Sequence, residues 1–396
     1  ILKQLSAIER GAYIQTETME RAALLAGDLA GVSAHLTLIP GKAPGSADIV
    51  VEANPKGKAM QGSLSESNWG TRLTGYNQTN LNLALSNPVQ MGDNLSGSLT
   101  KTFSGQDTGN VNYRIPLGEG SVLNLGYSKV SYELGKEMTA LDVHGTAYTQ
   151  HADWTYALKR SRGSNFSVQV GYDSKRMKDY IDEQGYDTSA RSHMTSLGLL
   201  GDSTDNWLGR GGANAYNVLW YAGSTSGANN TGATMATGNW NKATYSFMRQ
   251  QYLQERWSLF FSLSGQVSDS NLDSSEKFSL GGANGVRAYP SGEAAGDEAW
   301  LATAELRYTL ANTAHGSMWQ LAAFYDTGAS HIEKNPTVST DQNRRSLSGA
   351  GLGVSYIKPD DYSIKLNYAW KVGSEAAQSD TTFGNGRLWV IGTKYF

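Results

Sequence analysis

The sequence predicts an all-β transmembrane antiparallel β-barrel of about sixteen strands, preceded by a partial α+β domain. Three observations carry that expectation. From about Lys58 onward apolar residues recur at every second position, the period of a strand with one greasy and one wet face. Charged residues make up only 17% of the 396, below the roughly 25% of soluble domains. Mean hydropathy is nevertheless −0.43, and no uninterrupted run of about 18 apolar residues occurs, which argues against membrane helices. Finally, Trp69, Trp154, Trp220, Trp240, Trp257, Trp300, Trp319, Trp370 and Trp389 lie in or near the ends of alternating segments, as expected of aromatic girdles at two membrane interfaces.

Residues 1–57 read differently. A helical period starts at Thr16, with Met19, Ala22, Ala23 and Ala26 on one face, Glu17 and Glu20 near the positive end of the dipole, and Gly27 as the expected cap. Two strands follow. Val32, Ala34, Leu36 and Leu38 alternate with polar residues, Pro40-Gly41 opens a turn, and Asp48 to Ala53 carries Ile49 and Val51 on one face. A helix and two strands make the end of a small domain whose sheet expects an earlier strand.

Residues 58–396 divide into strands that begin near Lys58, Thr71, Asp93, Thr108, Ser121, Leu141, Ser164, Arg191, Gly212, Trp240, Arg256, Glu298, Ser317, Arg345, Asp361 and Gly386. Segments of this length can cross a bilayer as tilted strands of about 9 to 11 residues. Long linkers are expected after odd strands: Lys175 to Ala190, Gly223 to Asn239, Asp269 to Asp297, Ser330 to Arg344 and Gly373 to Asn385. Tight turns are expected after even ones, as at Pro116 to Gly120, Ser161 to Gly163, Ala311 to Gly316 and Pro359-Asp360. Short periplasmic turns and longer outside loops are the habit of bacterial barrels, and they place residues 1–57 and the terminal Phe396 on one side.

Two motifs point to a site. Gly281 and Gly282 open a stretch that runs through Val286, Arg287 and Tyr289 to Pro290; some forty residues on, a strand ends in Phe324-Tyr325-Asp326-Thr327-Gly328. Either one alone is an ordinary hairpin or strand end. Together they predict a buried contact of Arg287 with Asp326. Trp319, Leu321, Ala323 and Tyr325 share the lipid-facing parity, which turns Phe324 and Asp326 inward, and loop 269–297 is long enough to fold into the bore. A guanidinium and a carboxylate can then pair bidentately. Glu305 and Arg307 share an inward parity with Thr303 and Thr309 and are expected to line the lumen, chiefly as its solvating groups.

These motifs resemble those of the TpsB-type outer-membrane transporters of two-partner secretion (type Vb), members of the barrel-assembly/POTRA superfamily. The family's loop motif, Val-Arg-Gly-Tyr, is matched at Val286, Arg287 and Tyr289, and its strand motif, Phe-x-Asp-x-Gly, at Phe324, Asp326 and Gly328. Ala288 stands where the loop motif has glycine, and alanine tolerates positive φ poorly. Met19-Glu20-Arg21-Ala22, Leu29-Ala30-Gly31-Val32 and Pro40-Gly41 resemble the end of a second POTRA domain, and Asn68-Trp69-Gly70 and Met91-Gly92-Asp93 the family's first strands. The resemblance implies a monomeric sixteen-stranded pore in outer-membrane lipid. It would export an unfolded TpsA-type exoprotein (an adhesin, haemolysin or contact-dependent toxin) without ATP, with its N-terminal domain in the periplasm. It also implies a first POTRA domain and a plug helix ahead of Ile1.

Other classes find less support. Net charge is −3 with no dense basic tract, so no nucleic-acid partner is expected. There are no cysteines, and the six histidines show no metalloprotease spacing and accompany no Gly-x-Ser-x-Gly elbow; neither catalysis nor a cofactor is expected. Gly349-Ala350-Gly351-Leu352-Gly353 is superficially like a dinucleotide loop but lies within a strand, where packing glycines are expected. Asp202 and Asp205 read as a hydrated turn rather than a cation site. An outer-membrane assembly insertase of the same superfamily, or a passive porin, remain the alternatives.

Overall fold

The computed structural model describes the chain apart from residues 9–10, 230–236, 311–315, 337–341 and 383. Helix α1 (Thr16–Gly27) buries Ala22, Leu25 and Ala26 against a two-stranded antiparallel sheet, β1 (Val32–Pro40) and β2 (Ala47–Pro55). The helix ends one residue beyond the expected cap, since Asp28, in right-handed backbone, closes it in place of Gly27.

Sixteen strands then close on themselves: β3 (Met60–Ser67), β4 (Gln78–Ser86), β5 (Asn94–Thr102), β6 (Gln106–Gly118), β7 (Ser121–Glu133), β8 (Val143–Arg160), β9 (Ser164–Ile181), β10 (Tyr186–Asp205), β11 (Gly212–Asn229), β12 (Gly238–Tyr252), β13 (Trp257–Ser268), β14 (Glu298–Thr309), β15 (Met318–His331), β16 (Arg344–Lys358), β17 (Tyr362–Lys371) and β18 (Gly386–Tyr395). Each pairs antiparallel with its sequence neighbours, and β18 returns to β3. That seam is short. It holds five register pairs, Ser63 to Ser67 against Ile391 to Tyr395, while β17 and β18 share nine. Beyond its end the Asn68 side-chain amide imitates a peptide, donating to the Leu388 carbonyl and accepting from the Val390 N–H, both at 2.8 Å.

Alternation is visible in the wall. Along β15, Trp319, Leu321 and Tyr325 are exposed to the outside while Phe324 and Asp326 are buried within. The tight turns gather at the end that faces α1: Arg21 donates to the Ala157 carbonyl and Arg160 pairs with Asp28 at 2.7 Å. The turn expected at Ala311 to Gly316 lies, except for Gly316, outside the described residues, as do parts of the linkers at 223–239 and 330–344.

Three expectations are corrected. The linker Lys175 to Ala190 is mostly strand, because β9 and β10 continue to a short turn at Asp182–Gln184, and the described part of Gly223 to Asn239 is strand up to Asn229 and again from Gly238. Past the bilayer the outward positions become polar, so the apolar signal stops although the hydrogen-bond ladder does not. The second strand starts at Gln78 rather than Thr71, which instead folds back on Gly75 within the preceding loop. Nor are all the tryptophans girdle residues. Trp240 and Trp389 are buried and donate their indole N–H groups to Thr225 and to the Arg287 carbonyl.

Candidate functional site

Loop 269–297 folds into the bore and carries its own apolar core with it. Leu280, Val286, Ala288 and Tyr289 pack with Leu301, Phe324, Leu347 and Ala369 of the wall. The tip is shaped by two backbone bonds, Val286 N–H to the Leu280 carbonyl at 2.7 Å and Tyr289 N–H to that of Val286 at 3.0 Å. Ala288 is not among the residues with positive φ, so the tip does without the glycine of the motif. The wall makes room opposite. A Cβ on Gly349 would stand 2.6 Å from that of Ala288, and one on Gly351 would stand 2.3 Å from the Phe324 ring, which explains this glycine run as packing.

Arg287 is 4% exposed and Asp326 0%. The Arg287 Nε and Nη2 donate to the two Asp326 oxygens at 2.8 and 2.7 Å, and the Arg287 backbone N–H adds a third bond at 3.1 Å. Thr303 Oγ1 donates to Asp326 at 2.9 Å. The guanidinium lies 3.3 Å from the centre of the Phe324 ring, so the Phe of the strand motif supplies a cation–π floor. Gly328 sits beneath Leu280, its backbone leaving space for that side chain.

Glu305, expected as lumen solvation, is buried and is the second carboxylate of the site. It accepts from Arg287 Nη1 at 2.7 Å and from the Arg307 guanidinium at 2.8 and 2.5 Å. Two arginines and two carboxylates thus make a formally neutral quartet. Burial alone would make Arg287 easier to deprotonate; Asp326 and Glu305 outweigh it and hold its pKa above the ordinary value.

Sequence reasoning missed further ties. Glu276, at the start of the loop, is buried against Lys175 and Lys242, and Lys242 Nζ lies 2.8 Å from it. Glu293, at the loop's other limb, accepts from Arg345 at 2.9 Å and from Ser379 and the Gln378 N–H, which join it to the linker after β17. Ser291 donates to the Trp69 carbonyl at 2.7 Å, and Tyr289 to that of Glu375 at 2.9 Å. The signal available was the inward parity of Lys242 and Arg345; nothing local marked their partners. Asp202 and Asp205 lie on β10 and not in the expected hydrated turn; the first accepts from Asn165 and the second pairs with Arg249.

Residues 45–356 match the family described as haemolysin secretion/activation protein ShlB/FhaC/HecB. The chain belongs to this family. It is an outer-membrane β-barrel transporter of two-partner secretion, a barrel that passes a secreted partner protein. It is 24% identical over 391 residues to the heme/hemopexin transporter protein HuxB of Haemophilus influenzae, an alignment covering 95% of this chain and 67% of the relative. Among solved structures, CdiB from Escherichia coli superposes with a TM-score of 0.82 at 19% identity, covering all of this chain and 73% of the other. BamA from Haemophilus ducreyi follows at 0.65 and 12%, covering all of this chain and 81% of its own. Those two likenesses are of fold.

Proposed function

We propose that the barrel exports an unfolded TpsA-type exoprotein from periplasm to cell surface without ATP, and that loop 269–297 is the resting obstruction of its bore. Residues 1–57 are the end of a POTRA domain on the periplasmic side, next to the tight turns. One chain forms one pore. The observation that carries this reading is the ionic quartet, with Arg287, Glu305 and Asp326 buried and Arg307 half-buried at its edge, which fixes a long loop inside a wall.

Burial decides the energetics. A solvated ion pair would be worth only about 0 to 1 kcal/mol, but removing one partner of a buried pair costs about 3 to 5 kcal/mol because a charge is left without compensation. The loop therefore rests in place and leaves when something larger, such as an entering chain, competes for the lumen. Arg287→Ala and Asp326→Ala are expected to give folded barrels with reduced export of the partner. A secretion assay that finds wild-type export from both removes the role assigned to this contact.

A further inference from the structure

Strands β8 to β11 are 18, 18, 20 and 18 residues long, whereas a tilted strand crosses a bilayer in about 9 to 11. The excess projects at the end opposite α1. Because register fixes which residues stand side by side, the outward face can be followed row by row. Leu123, Trp154, Val170 and Leu197 form one apolar row across β7 to β10. Six residues farther from the turn end along β7, the row is Lys129, Tyr148, Arg176 and Arg191, and Lys178 stands in the row beyond it.

Lys129, Arg176, Lys178 and Arg191 are exposed, and among the described residues none enters an ion pair. Lys129 Nζ lies 5.6 Å from the Tyr148 ring centre. Beside Tyr148 opens a cleft of about 350 Å³, lined by Tyr127, Tyr148, Gln150, Ser174, Arg176 and Lys178, so that two of the four cations reach it. The nearest outward carboxylates on these strands, Glu133 and Asp187, stand two rows farther from the apolar band, and Asp107 of the adjoining β6, one row beyond Lys129, pairs with Lys101 at 3.3 Å. These cations face sideways, along the wall that meets lipid, and not into the bore through which cargo passes.

Four cations outside any ion pair, two of them lining an aromatic cleft and all lying beyond the apolar band on its far side from the turns, match a lipid with several phosphates at its headgroup. Each cation near a membrane surface adds about a factor of five in affinity for anionic lipid, and arginine forks grip phosphate oxygens in pairs. We propose that this patch on β7 to β10 binds the phosphates of the glycolipid that forms the outer leaflet of the outer membrane.

The test uses the full chain in neutral detergent micelles, with binding of fluorescent diphosphoryl lipid A read by anisotropy. Arms with dephosphorylated lipid A and with inorganic pyrophosphate separate the lipid from its acyl chains and from a free anion. Wild type is expected to bind the diphosphoryl lipid at least tenfold more tightly than either. Lys129→Gln, Arg176→Gln, Lys178→Gln and Arg191→Gln together should abolish that preference, with heat-modifiable gel mobility confirming a folded barrel. If the combined variant does not fold, the four single variants, each expected to lose about fivefold, decide the matter. Undiminished binding by the variants overturns the proposal, as does equal binding of the dephosphorylated lipid or of pyrophosphate. Loss of partner export with lipid binding intact would assign the patch to a protein instead.

Discussion

The indole N–H of Trp389 donates to the carbonyl oxygen of Arg287 at 2.7 Å, deep in the barrel and close to the seam between its last and first strands. The loop tip is thus held by its backbone from β18 as well as by its side chain from β14 and β15. Trp389→Phe keeps most of the packed ring and removes the donor, leaving a buried carbonyl without a partner. That costs about 1 to 2 kcal/mol, so amide hydrogen exchange across residues 281–290 should quicken by roughly five- to thirtyfold. Unchanged exchange there would mean that the indole only fills space.

Gly349 predicts a steric counterpart. Any side chain at this position enters the space of Ala288, whose Cβ would lie 2.6 Å from the new one, and both atoms sit on backbone that the strand and the tip turn hold. Gly349→Val should displace the tip at a cost of about 1 to 3 kcal/mol while β16 keeps its ladder. In planar bilayers the variant is expected to show more frequent large conductance steps than the wild type; equal opening frequency would contradict it.

Most of the architecture was legible because a lipid-facing strand must be apolar at alternate positions, which printed β15 and β17 plainly on the sequence. The signal failed where that constraint lapses. Lys175 to Ala190 leaves the bilayer, so its outward residues are free to be polar and a strand reads as a loop. Trp389 was misread because alternation tells inside from outside only once strand parity is fixed, and an indole pointing inward looks the same in sequence as one pointing out. The partners of Arg287 divide in the same way. Asp326 sits in a motif, whereas Glu305 is one inward carboxylate among polar neighbours and becomes special only when register places it beside Phe324.

Acid should loosen the loop through Glu293. Burial by itself would raise the pKa of this carboxyl, but bonds from Ser379, the Gln378 N–H and Arg345 outweigh it and hold it below the ordinary 4.5. A group depressed in the folded state contributes stability that is fully present above its unfolded pKa and is lost as pH falls through the folded one. The tie between loop 269–297 and the linker after β17 should therefore be intact at neutral pH and fade as pH drops below about 4.5. Conductance recorded from pH 7 to pH 3 should rise at the acid end, and Glu293→Gln should flatten that rise while raising conductance at pH 7. A wild-type trace insensitive to acid would rule this out.

The short seam makes Asn68 a stability determinant of the whole cylinder. Its side-chain amide supplies one donor and one acceptor to β18 at the end of β3, beside the Asn68 backbone N–H that donates to the Val390 carbonyl at 3.2 Å, so Leu388 and Val390 keep their ladder bonds one step beyond the five register pairs. Asn68→Leu preserves the volume and deletes both bonds; at about 0.5 to 1.5 kcal/mol each, the closed barrel should lose about 1 to 3 kcal/mol. The temperature at which the compact gel band gives way to the unfolded one should fall by several degrees. Asn68→Asp, which keeps the acceptor and loses the donor, should fall between the two. Identical transitions in all three proteins would show that the seam is held elsewhere, by the loop that bridges Trp69 and Trp389 from inside.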